Sequence, residues 1–186
     1  MSTYLGSDIK KLGFGLMRLP TIGDEIDLEQ VKTMVDTFMS KGFTYFDTAY
    51  VYSGGKSEAA AKVALVDRYP RESFQLATKL PLWDVEDPAE MQKLFDTSLE
   101  RTGAGYFDFY LLHNLGESRT KYFDDFDMWS WIKEKKKDGL IKHMGFSFHS
   151  TPEELESILT AHPEMEFVQL QINYADWENS AIQSRG

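Results

Sequence analysis

The order of apolar and polar positions along the chain predicts short strands that alternate with longer helical segments. The strand pattern is a short run of β-branched, aromatic and aliphatic residues, bounded by turn-forming residues. These runs are Lys11–Leu16, Thr44–Asp47, Phe74–Thr78, Phe107–Leu112, Ile141–Phe146 and Phe167–Gln171. Because a helical segment lies between each strand and the next, the pattern predicts β/α units and a parallel sheet.

Apolar residues three and four positions apart define the helical segments, and capping residues mark their ends. In the first segment Asp27 stands at the N-cap and Gly42 follows the end. The third opens with Asp87, followed by proline, and the fifth with a capping box at Thr151. The five segments begin near Leu28, Ser57, Pro88, Phe126 and Pro152.

Strict alternation of strands and helices is compatible with an open doubly wound sheet or with part of a (β/α)8 barrel. The glycines at Gly13 and Gly15 are followed by neither a third glycine nor an immediate helix, so the dinucleotide-binding fingerprint is absent. We therefore predict an α/β chain, residues 1–186, forming a single domain with the first six strands of a TIM barrel. A complete barrel needs about 250 residues, so we expect two further β/α units after Gly186, or self-association through the open barrel edges.

Composition narrows the possible partners. The net charge of −10 argues against nucleic-acid and anionic-membrane partners, which require clustered lysine and arginine. There are no cysteines, so neither a disulfide nor a thiolate metal site is available. Residues 1–11 lack the apolar core of a signal peptide, and no apolar run is long enough to span a membrane. These features favour a soluble, cytoplasmic protein.

Polar side chains at the predicted strand ends are the strongest functional signal. In a barrel, the C-terminal strand ends and the loops after them form the active site. Each such residue has a structural explanation when taken alone, and a lone loop tyrosine is usually a packing residue. Their recurrence at successive strand ends favours function. The set comprises Asp47, Tyr52, Lys79, His113, Ser147 and Gln171.

These residue types suit carbonyl reduction. The ordinary pKa of tyrosine is about 10, so tyrosine becomes a better general acid beside a cation such as Lys79. Asp47 can orient that ammonium group, and His113 can donate a hydrogen bond to a carbonyl oxygen. We expect the Tyr52 hydroxyl, Lys79 and Asp47 to form one hydrogen-bonded cluster. Because no side chain delivers hydride, a nicotinamide cofactor is implied.

Four ordered motifs resemble the aldo-keto reductase superfamily. The segment D-T-A-Y-V-Y ending at Tyr52 is similar to the family's D-T-A-x-x-Y block. The segments A-T-K ending at Lys79, D-F-Y-L-L-H ending at His113 and G-L-I-K-H-M-G-F-S ending at Ser147 follow in the family's order and spacing. Other stretches resemble the subgroup that often carries a C-terminal ferredoxin-like extension, although no cysteine motif for one is present here.

The resemblance implies specific roles and a cofactor. Asp47, Tyr52, Lys79 and His113 would be the catalytic tetrad, with Tyr52 as proton donor. Ser147 and Gln171 would bind the nicotinamide carboxamide of NADP(H), and the substrate would be a small-molecule aldehyde or ketone. No metal site is implied.

One position departs from the family. Most members have asparagine after the serine, whereas this chain has Phe148. We expect its ring to pack between the fifth strand and a helix, with His149 or Asn173 as possible replacements for the missing contact. Candidate walls of a substrate pocket are Trp83, Trp129 and Trp177.

Two alternative functions compete with the reductase interpretation. Schiff-base aldolases also place a lysine on a barrel strand, which here would be Lys79. A cofactor-binding regulatory barrel without turnover is the alternative from another class. The chain by itself could also lack activity.

Overall fold

A computed structural model of the chain describes residues 6–83, 85–116 and 119–179. The strands among them are β1 (Gly13–Gly15), β2 (Thr21–Ile22), β3 (Glu25–Ile26), β4 (Tyr45–Asp47), β5 (Gln75–Leu80), β6 (Phe107–Leu115), β7 (Ile141–Phe148) and β8 (Phe167–Leu170). The α-helices are α1 (Leu28–Ser40), α2 (Lys56–Ala61), α3 (Ala89–Thr102), α4 (Thr120–Asp125), α5 (Met128–Lys137) and α6 (Pro152–Ala161). The six predicted strands and five predicted helical segments are all present.

The helix ends follow the predicted capping chemistry. The Asp27 carboxylate accepts a hydrogen bond from the backbone N–H of Gln30, and the Thr151 hydroxyl accepts one from Glu154. Asp87 likewise accepts from the backbone N–H at the start of α3. These bonds satisfy N–H groups that have no partner inside a helix. No helix in the described parts of the chain has the length and apolar character needed to cross a membrane.

Two short features were not predicted. The strands β2 and β3 form an antiparallel hairpin whose turn contains Gly23 at φ 60°. Helix α4 precedes α5 and buries Phe123. Both are too short to show a clear period in the sequence, which is why the pattern of apolar residues did not indicate them.

Six strands form one parallel sheet in the order β1-β4-β5-β6-β7-β8. Each neighbouring pair is joined through a helix-containing connection, and the sheet curls into a half-barrel, as expected for part of a (β/α)8 barrel. Among the described residues, β1 and β8 each pair with a strand on one side only. Both edges of the half-barrel are therefore open in the described part of the chain.

The alternation of side chains along each strand separates two cores. Outward-facing residues such as Phe46, Leu76 and Phe146 are buried between the sheet and the helices, in the larger apolar cluster. Inward-facing residues such as Phe109 and Leu111 form a smaller cluster on the concave face. Because the period of a strand is two, the same alternation determines which polar residues reach the inside of the barrel.

An aromatic layer fills the inside of the half-barrel. The ring of Phe109 lies 5.2 Å from that of Tyr45 and 5.3 Å from that of Phe167. These rings come from β4, β6 and β8, so alternate strands supply the layer, as in complete barrels. Small residues occupy the intervening strands: a Cβ at Gly13 would lie 2.9 Å from the Tyr45 ring, and one at Gly145 would lie 2.3 Å from the Phe167 carbonyl oxygen.

Candidate active site

The stagger of the parallel strands brings four of the predicted site residues to one end of the sheet. Asp47 is the last residue of β4, and Lys79, His113 and Ser147 lie near the ends of β5, β6 and β7. The register pairs Asp47 with Ala77. Lys79 is therefore the next inward-facing residue along β5, one step closer to the C-terminal end of the sheet than Asp47. Because inward positions recur every second residue, these side chains face the interior above the aromatic layer.

Lys79 and Asp47 form a buried ion pair. The Lys79 ammonium lies 2.7 Å from Asp47 Oδ1 and donates a second hydrogen bond of 2.7 Å to the Thr48 carbonyl oxygen. Only 2% of the Lys79 side chain is exposed. A charge this deeply buried requires a counter-charge and polar partners, and both are supplied here by the end of β4 and the residue after it.

The ring of Tyr52 covers the Lys79 ammonium. The nitrogen lies 4.8 Å from the ring centroid, which is within range of a cation–π contact. The predicted hydrogen bond from the Tyr52 hydroxyl to Lys79 or Asp47 is not formed among the described residues. Instead, the Lys79 ammonium donates to Asp47 and to the Thr48 carbonyl and lies over the face of the Tyr52 ring.

The loop that carries Tyr52 has an unusual backbone. Ser53, Gly54 and Gly55 have φ values of 52°, 63° and 89°, in the left-handed region. Glycine adopts this region at little cost, whereas Ser53 is strained there by its Cβ. A strained residue persists only when its surroundings hold it in place.

An ion pair under this loop, buried on its acidic side, provides that support. Glu58 is fully buried, accepts a 2.7 Å hydrogen bond from the Thr78 hydroxyl and lies 3.5 Å from an Arg101 guanidinium nitrogen. The same guanidinium donates a 3.2 Å hydrogen bond to the Tyr50 carbonyl oxygen, and a Cβ at Gly55 would lie 3.1 Å from it. Helix α3, which contains Arg101, therefore holds both ends of the Tyr52 loop.

His113 faces the same space and is held neutral. Its ring meets the edges of Tyr52 and Trp83 at centroid distances of 5.9 and 5.2 Å. Burial, followed by the charges of Lys79 and His149, lowers the pKa of His113 to about 3. Its Nδ1 is buried and has no hydrogen-bond partner among the described residues. A neutral imidazole retains one N–H donor, so His113 can donate a hydrogen bond at neutral pH but carries no second ring proton.

Ser147 is oriented by the residue after His113. Its Oγ accepts a 2.7 Å hydrogen bond from the backbone N–H of Asn114, which has a φ of 63°. The carbonyl oxygen of Asn114 accepts in turn from the Arg119 guanidinium at 2.8 Å. Because the Ser147 hydroxyl acts as an acceptor in this contact, its own proton can still be donated.

An open cavity of about 720 Å³ lies above these groups. Tyr52, His113, His149 and Gln171 line it, and so does Gly15, at which an added Cβ would meet no atom within 4 Å. Burial and the charge of Arg119 lower the pKa of His149, while its hydrogen bond with Gln171 acts in the opposite direction. The volume is in the range of small-molecule sites, about 300–1,000 Å³.

Phe148 is not among the residues that line this cavity. It is buried, and its ring lies 6.4 Å from that of Phe146 in the core between sheet and helices, as predicted. Of the two proposed replacements for the family's asparagine, His149 lines the cavity. Asn173 caps its own turn by accepting a 2.9 Å hydrogen bond from the backbone N–H of Ala175.

The three candidate tryptophans have different surroundings. Trp83 contacts His113 and lies next to the cavity. Trp129 stacks on His162 at 3.6 Å and donates a hydrogen bond to Asp124, so it belongs to the helical layer. Trp177 is exposed. Of the three, Trp83 is the one that contacts a residue of the site.

Sequence reasoning missed several residues that support the site, of which Gln169 is the most informative. Its side-chain nitrogen donates a 3.2 Å hydrogen bond to Asp47 Oδ2. The signal was available, because Gln169 stands two positions before Gln171 within the predicted strand Phe167–Gln171 and was therefore expected on the same face. The other missed residues are Thr48, Glu58, Arg101 and Asn114.

Comparison with known protein families gives a match over nearly the whole chain. A model described as "Aldo/keto reductase family" matches residues 11–186. A probable aldo-keto reductase 1 from Glycine max is 28% identical over 92% of this chain and 50% of its own length. An aldo-keto reductase from Mycolicibacterium smegmatis is 29% identical over 76% of this chain and 49% of its own length. The chain spans about half the length of these curated relatives.

Solved structures share the fold. An aldo-keto reductase from Klebsiella pneumoniae in complex with NADPH superposes with a TM-score of 0.72 at 21% identity, covering 94% of this chain and 59% of that one. The holo form of an aldo-keto reductase from Bacillus halodurans gives a TM-score of 0.70 at 26% identity, with coverages of 91% and 57%. Both agree with the half-barrel described above.

Proposed function

Because the chain belongs to the aldo/keto reductase family, we propose that it reduces an aldehyde or ketone to an alcohol, with hydride from NADP(H) and a proton from Tyr52. The buried pair of Lys79 and Asp47 under the ring of Tyr52 is the observation that carries this proposal. A positive charge next to a tyrosine favours the tyrosinate that remains after the proton has been donated.

The proposal assigns different roles to Lys79 and Asp47. Lys79 supplies the positive charge, and Asp47 keeps the ammonium in place through the 2.7 Å contact. The second hydrogen bond, to the Thr48 carbonyl, fixes the direction of the lysine side chain. A lysine nitrogen held by a carboxylate and a carbonyl is not positioned to attack a substrate carbonyl, so the contacts favour reduction over aldolase chemistry.

His113 binds the carbonyl oxygen of the substrate. Because its pKa is lowered to about 3, the imidazole is neutral at neutral pH and donates a hydrogen bond rather than transferring a proton. Tyr52 is therefore the cavity residue to which the proposal assigns proton donation. The Nδ1 of His113, which has no partner in the described part of the chain, is consistent with a ring whose polar atoms bind a ligand.

The nicotinamide would lie against Ser147 and Gln171. The Ser147 hydroxyl can donate to a carboxamide oxygen, Gln171 lines the cavity, and Gly15 leaves the opposite wall without a side chain. His149 offers a further polar contact at the position after Phe148. When bound, the cofactor supplies the hydride. The choice of NADP(H) is supported by the Klebsiella pneumoniae relative, whose structure contains NADPH.

Oxidation of NADPH by the purified full chain, measured over a panel of aldehydes and ketones, tests the proposal. In Tyr52→Phe we expect turnover to fall about 100-fold or more, the scale of general acid catalysis, with NADPH affinity nearly unchanged. Tyr122→Phe removes a hydroxyl from an exposed tyrosine of α4 and serves as the control. Equal turnover in Tyr52→Phe and the wild type across pH would exclude tyrosine as the proton donor.

Lys79→Met tests the charge pair. We expect a similar loss of turnover, with the alkaline fall in activity displaced to higher pH, because the tyrosine loses its neighbouring cation.

Borohydride added with a carbonyl substrate separates the aldolase alternative, since reduction of a Schiff base would leave a covalent adduct on Lys79. Detection of that adduct by mass spectrometry would contradict the proposed reduction. A chain that binds NADPH without consuming it would instead support a regulatory barrel.

A further inference from the structure

A chain of buried hydrogen bonds runs from the Lys79 ammonium through two hydroxyl groups. The carbonyl oxygen of Thr48 accepts from Lys79 at 2.7 Å. The hydroxyl of the same threonine lies 2.7 Å from the hydroxyl of Ser57, which donates a 2.9 Å hydrogen bond to the Leu16 carbonyl oxygen. Thr48, Ser57 and Leu16 are all fully buried.

The direction of this chain follows from the number of hydroxyl protons. A hydroxyl group has one proton and therefore donates one hydrogen bond. Because Ser57 uses its proton on the Leu16 carbonyl, it accepts in its contact with Thr48, and Thr48 is the donor. Neither proton can turn elsewhere without leaving a buried polar group unpaired, which costs free energy.

Helix capping and core packing do not explain the serine at position 57. Ser57 lies in the first turn of α2, where a serine commonly bonds to the nearby backbone. It bonds instead to Leu16, 41 positions earlier in the sequence. The buried positions Ala60 and Ala61 of the same helix are alanines, and an alanine at position 57 would avoid the cost of burying a hydroxyl. The contacts with Thr48 and Leu16 therefore account for the hydroxyl.

We propose that Ser57 is a positioning residue for the reaction, which fixes Thr48 and, through the Thr48 carbonyl, the Lys79 ammonium under the Tyr52 ring. This inference rests on the proposed function. The backbone N–H of Thr48 donates to the Ala77 carbonyl oxygen at 2.9 Å. The residue is thus held at its N–H, at its carbonyl and at its side chain, and it cannot turn the carbonyl away from Lys79.

Ser57 also joins the charge pair to the wall of the cavity. Leu16 lies between Gly15 and Met17, and both of these neighbours line the cavity. The Leu16 N–H donates to the Asp47 carbonyl oxygen at 2.8 Å, and its own carbonyl accepts from Ser57. One serine hydroxyl therefore connects the end of β1, the end of β4 and the start of α2.

Nuclear magnetic resonance of the full chain, labelled at the lysine nitrogens, reports on the ammonium without any assay of activity. We expect one ammonium signal that exchanges slowly with solvent and is absent in Lys79→Met. It should shift in Ser57→Ala and in Thr48→Val, which keeps the shape of threonine but loses the hydroxyl. Thr33→Val is a matched control, because Thr33 donates a 3.0 Å hydrogen bond to a carbonyl on the exposed face of α1.

Two outcomes of that measurement would overturn the proposal. One is an ammonium signal at the same position in Ser57→Ala, Thr48→Val and the wild type. The other is the absence of any slowly exchanging signal that depends on Lys79, because an ammonium held at a buried carboxylate and a buried carbonyl is protected from solvent.

Steady-state kinetics tests the consequence for the reaction. In Ser57→Ala and in Thr48→Val we expect kcat to fall about tenfold with the KM for NADPH nearly unchanged, as when a buried group loses its partner. The alkaline fall in activity should move to higher pH, because the ammonium is held less closely to the tyrosine. Thr48→Ser is the conservative variant: it retains the hydroxyl and should retain the position of the alkaline fall. A loss of stability alone would not move that position.

The double variant Ser57→Ala with Thr48→Val examines whether the two residues act through one chain. If they do, removal of the second hydroxyl adds little, and kcat should fall about tenfold, as in either single variant. A fall of roughly 100-fold, the product of two independent effects, would show that Ser57 does not act through Thr48.

These measurements separate the inference from the proposed function. If the wild type oxidises NADPH, and Ser57→Ala and Thr48→Val keep its kcat and its pH profile, the positioning role is wrong and the reductase function stands. If the wild type consumes no NADPH with any carbonyl, the proposed function is wrong, and the ammonium signal alone decides whether Ser57 holds Lys79 in place.

Discussion

At the scale of single residues, the pKa of His113 links the candidate site to stability. The folded chain lowers this pKa to about 3 from an ordinary value of 6.5, chiefly by burial. Between these two pH values the unfolded chain binds a proton that the folded chain does not. The free energy of unfolding therefore falls as the pH drops below about 6.5, and this residue contributes no dependence on pH above that value.

His113→Gln should remove this dependence. In the wild type, we expect the residue to lower the free energy of unfolding by about 2 kcal/mol between about pH 7 and pH 5. Urea-induced unfolding at the two pH values measures the loss, and the difference between them should be smaller by that amount in the variant. The same loss of stability in both proteins would mean that His113 is protonated in the folded state.

The sequence identified which residues meet at the site but not how they interact. Lys79 and His113 could be assigned to strand ends because apolar runs precede them and the strand period is two. The neutral state of His113 depends on burial and on nearby charges from other strands, which no local pattern contains. The position of Lys79 over the face of the Tyr52 ring, rather than at its hydroxyl, likewise depends on contacts between separate elements that no local pattern contains.

At the scale of elements, helix α3 supports the loop that carries Tyr52. Arg101 contacts the fully buried Glu58, and it also binds the Tyr50 carbonyl. Removal of one partner from a buried ion pair leaves the other charge without compensation. The stability of the loop should therefore depend on this single side chain of α3.

Arg101→Met should lower the free energy of unfolding by about 2–4 kcal/mol, because Glu58 is left with a hydroxyl as its remaining polar partner. Arg68→Met is a matched control: its guanidinium pairs with Asp36 at 2.7 Å and lies over a tyrosine ring, but the Asp36 side chain is 47% exposed whereas that of Glu58 is fully buried. We expect that control to cost less than about 1 kcal/mol. Chemical denaturation measures both changes. Equal losses in the two variants would contradict a special role for Arg101.

The double variant Glu58→Gln with Arg101→Met tests whether an uncompensated charge causes the loss of stability in Arg101→Met. A neutral amide needs no counter-charge, so the double variant should recover part of the stability lost in Arg101→Met. If the double variant is less stable than the wild type by the sum of the two single losses, the cost arises from packing and not from an uncompensated charge.

Elements could be predicted where the periodic apolar pattern extends over several turns, and could not be predicted where the element is only a few residues long. The helices α1, α3 and α6 have apolar faces of several turns and recognisable caps, so their positions could be predicted. The β2–β3 hairpin contains two residues per strand, which is too few to distinguish alternation from chance. The pairing of Glu58 with Arg101 joins residues 43 positions apart, so it could not be inferred from local spacing.

At the scale of the whole molecule, the two open edges of the half-barrel favour self-association. Within the described residues, β8 pairs only with β7, and Leu170 at its end is 43% exposed. An unpaired strand edge with exposed apolar residues is a template for pairing with another strand. We expect residues 1–186, produced as such, to associate with a second copy through this edge.

Leu170→Lys tests that expectation. A lysine on an edge strand opposes edge-to-edge pairing, so the variant should sediment as a smaller species than the wild type at equal concentration. Met34→Lys is the control, since Met34 is 38% exposed but lies on helix α1 and not on an edge strand. Sedimentation velocity over a range of concentrations measures the effect. A wild-type chain that remains monomeric over that range would refute the expectation.

The aromatic layer of Tyr45, Phe109 and Phe167 has a consequence for the order of events when the chain folds. Its members are contributed by three β/α units, and each is about sixty residues from the next along the sequence. A nascent chain can form its first helices as they leave the ribosome, but the layer cannot form until Phe167 has been synthesised. Contacts between such distant residues slow folding, because a long loop must close before any contact is gained. The interior of the barrel, and the candidate active site above it, should therefore become ordered last.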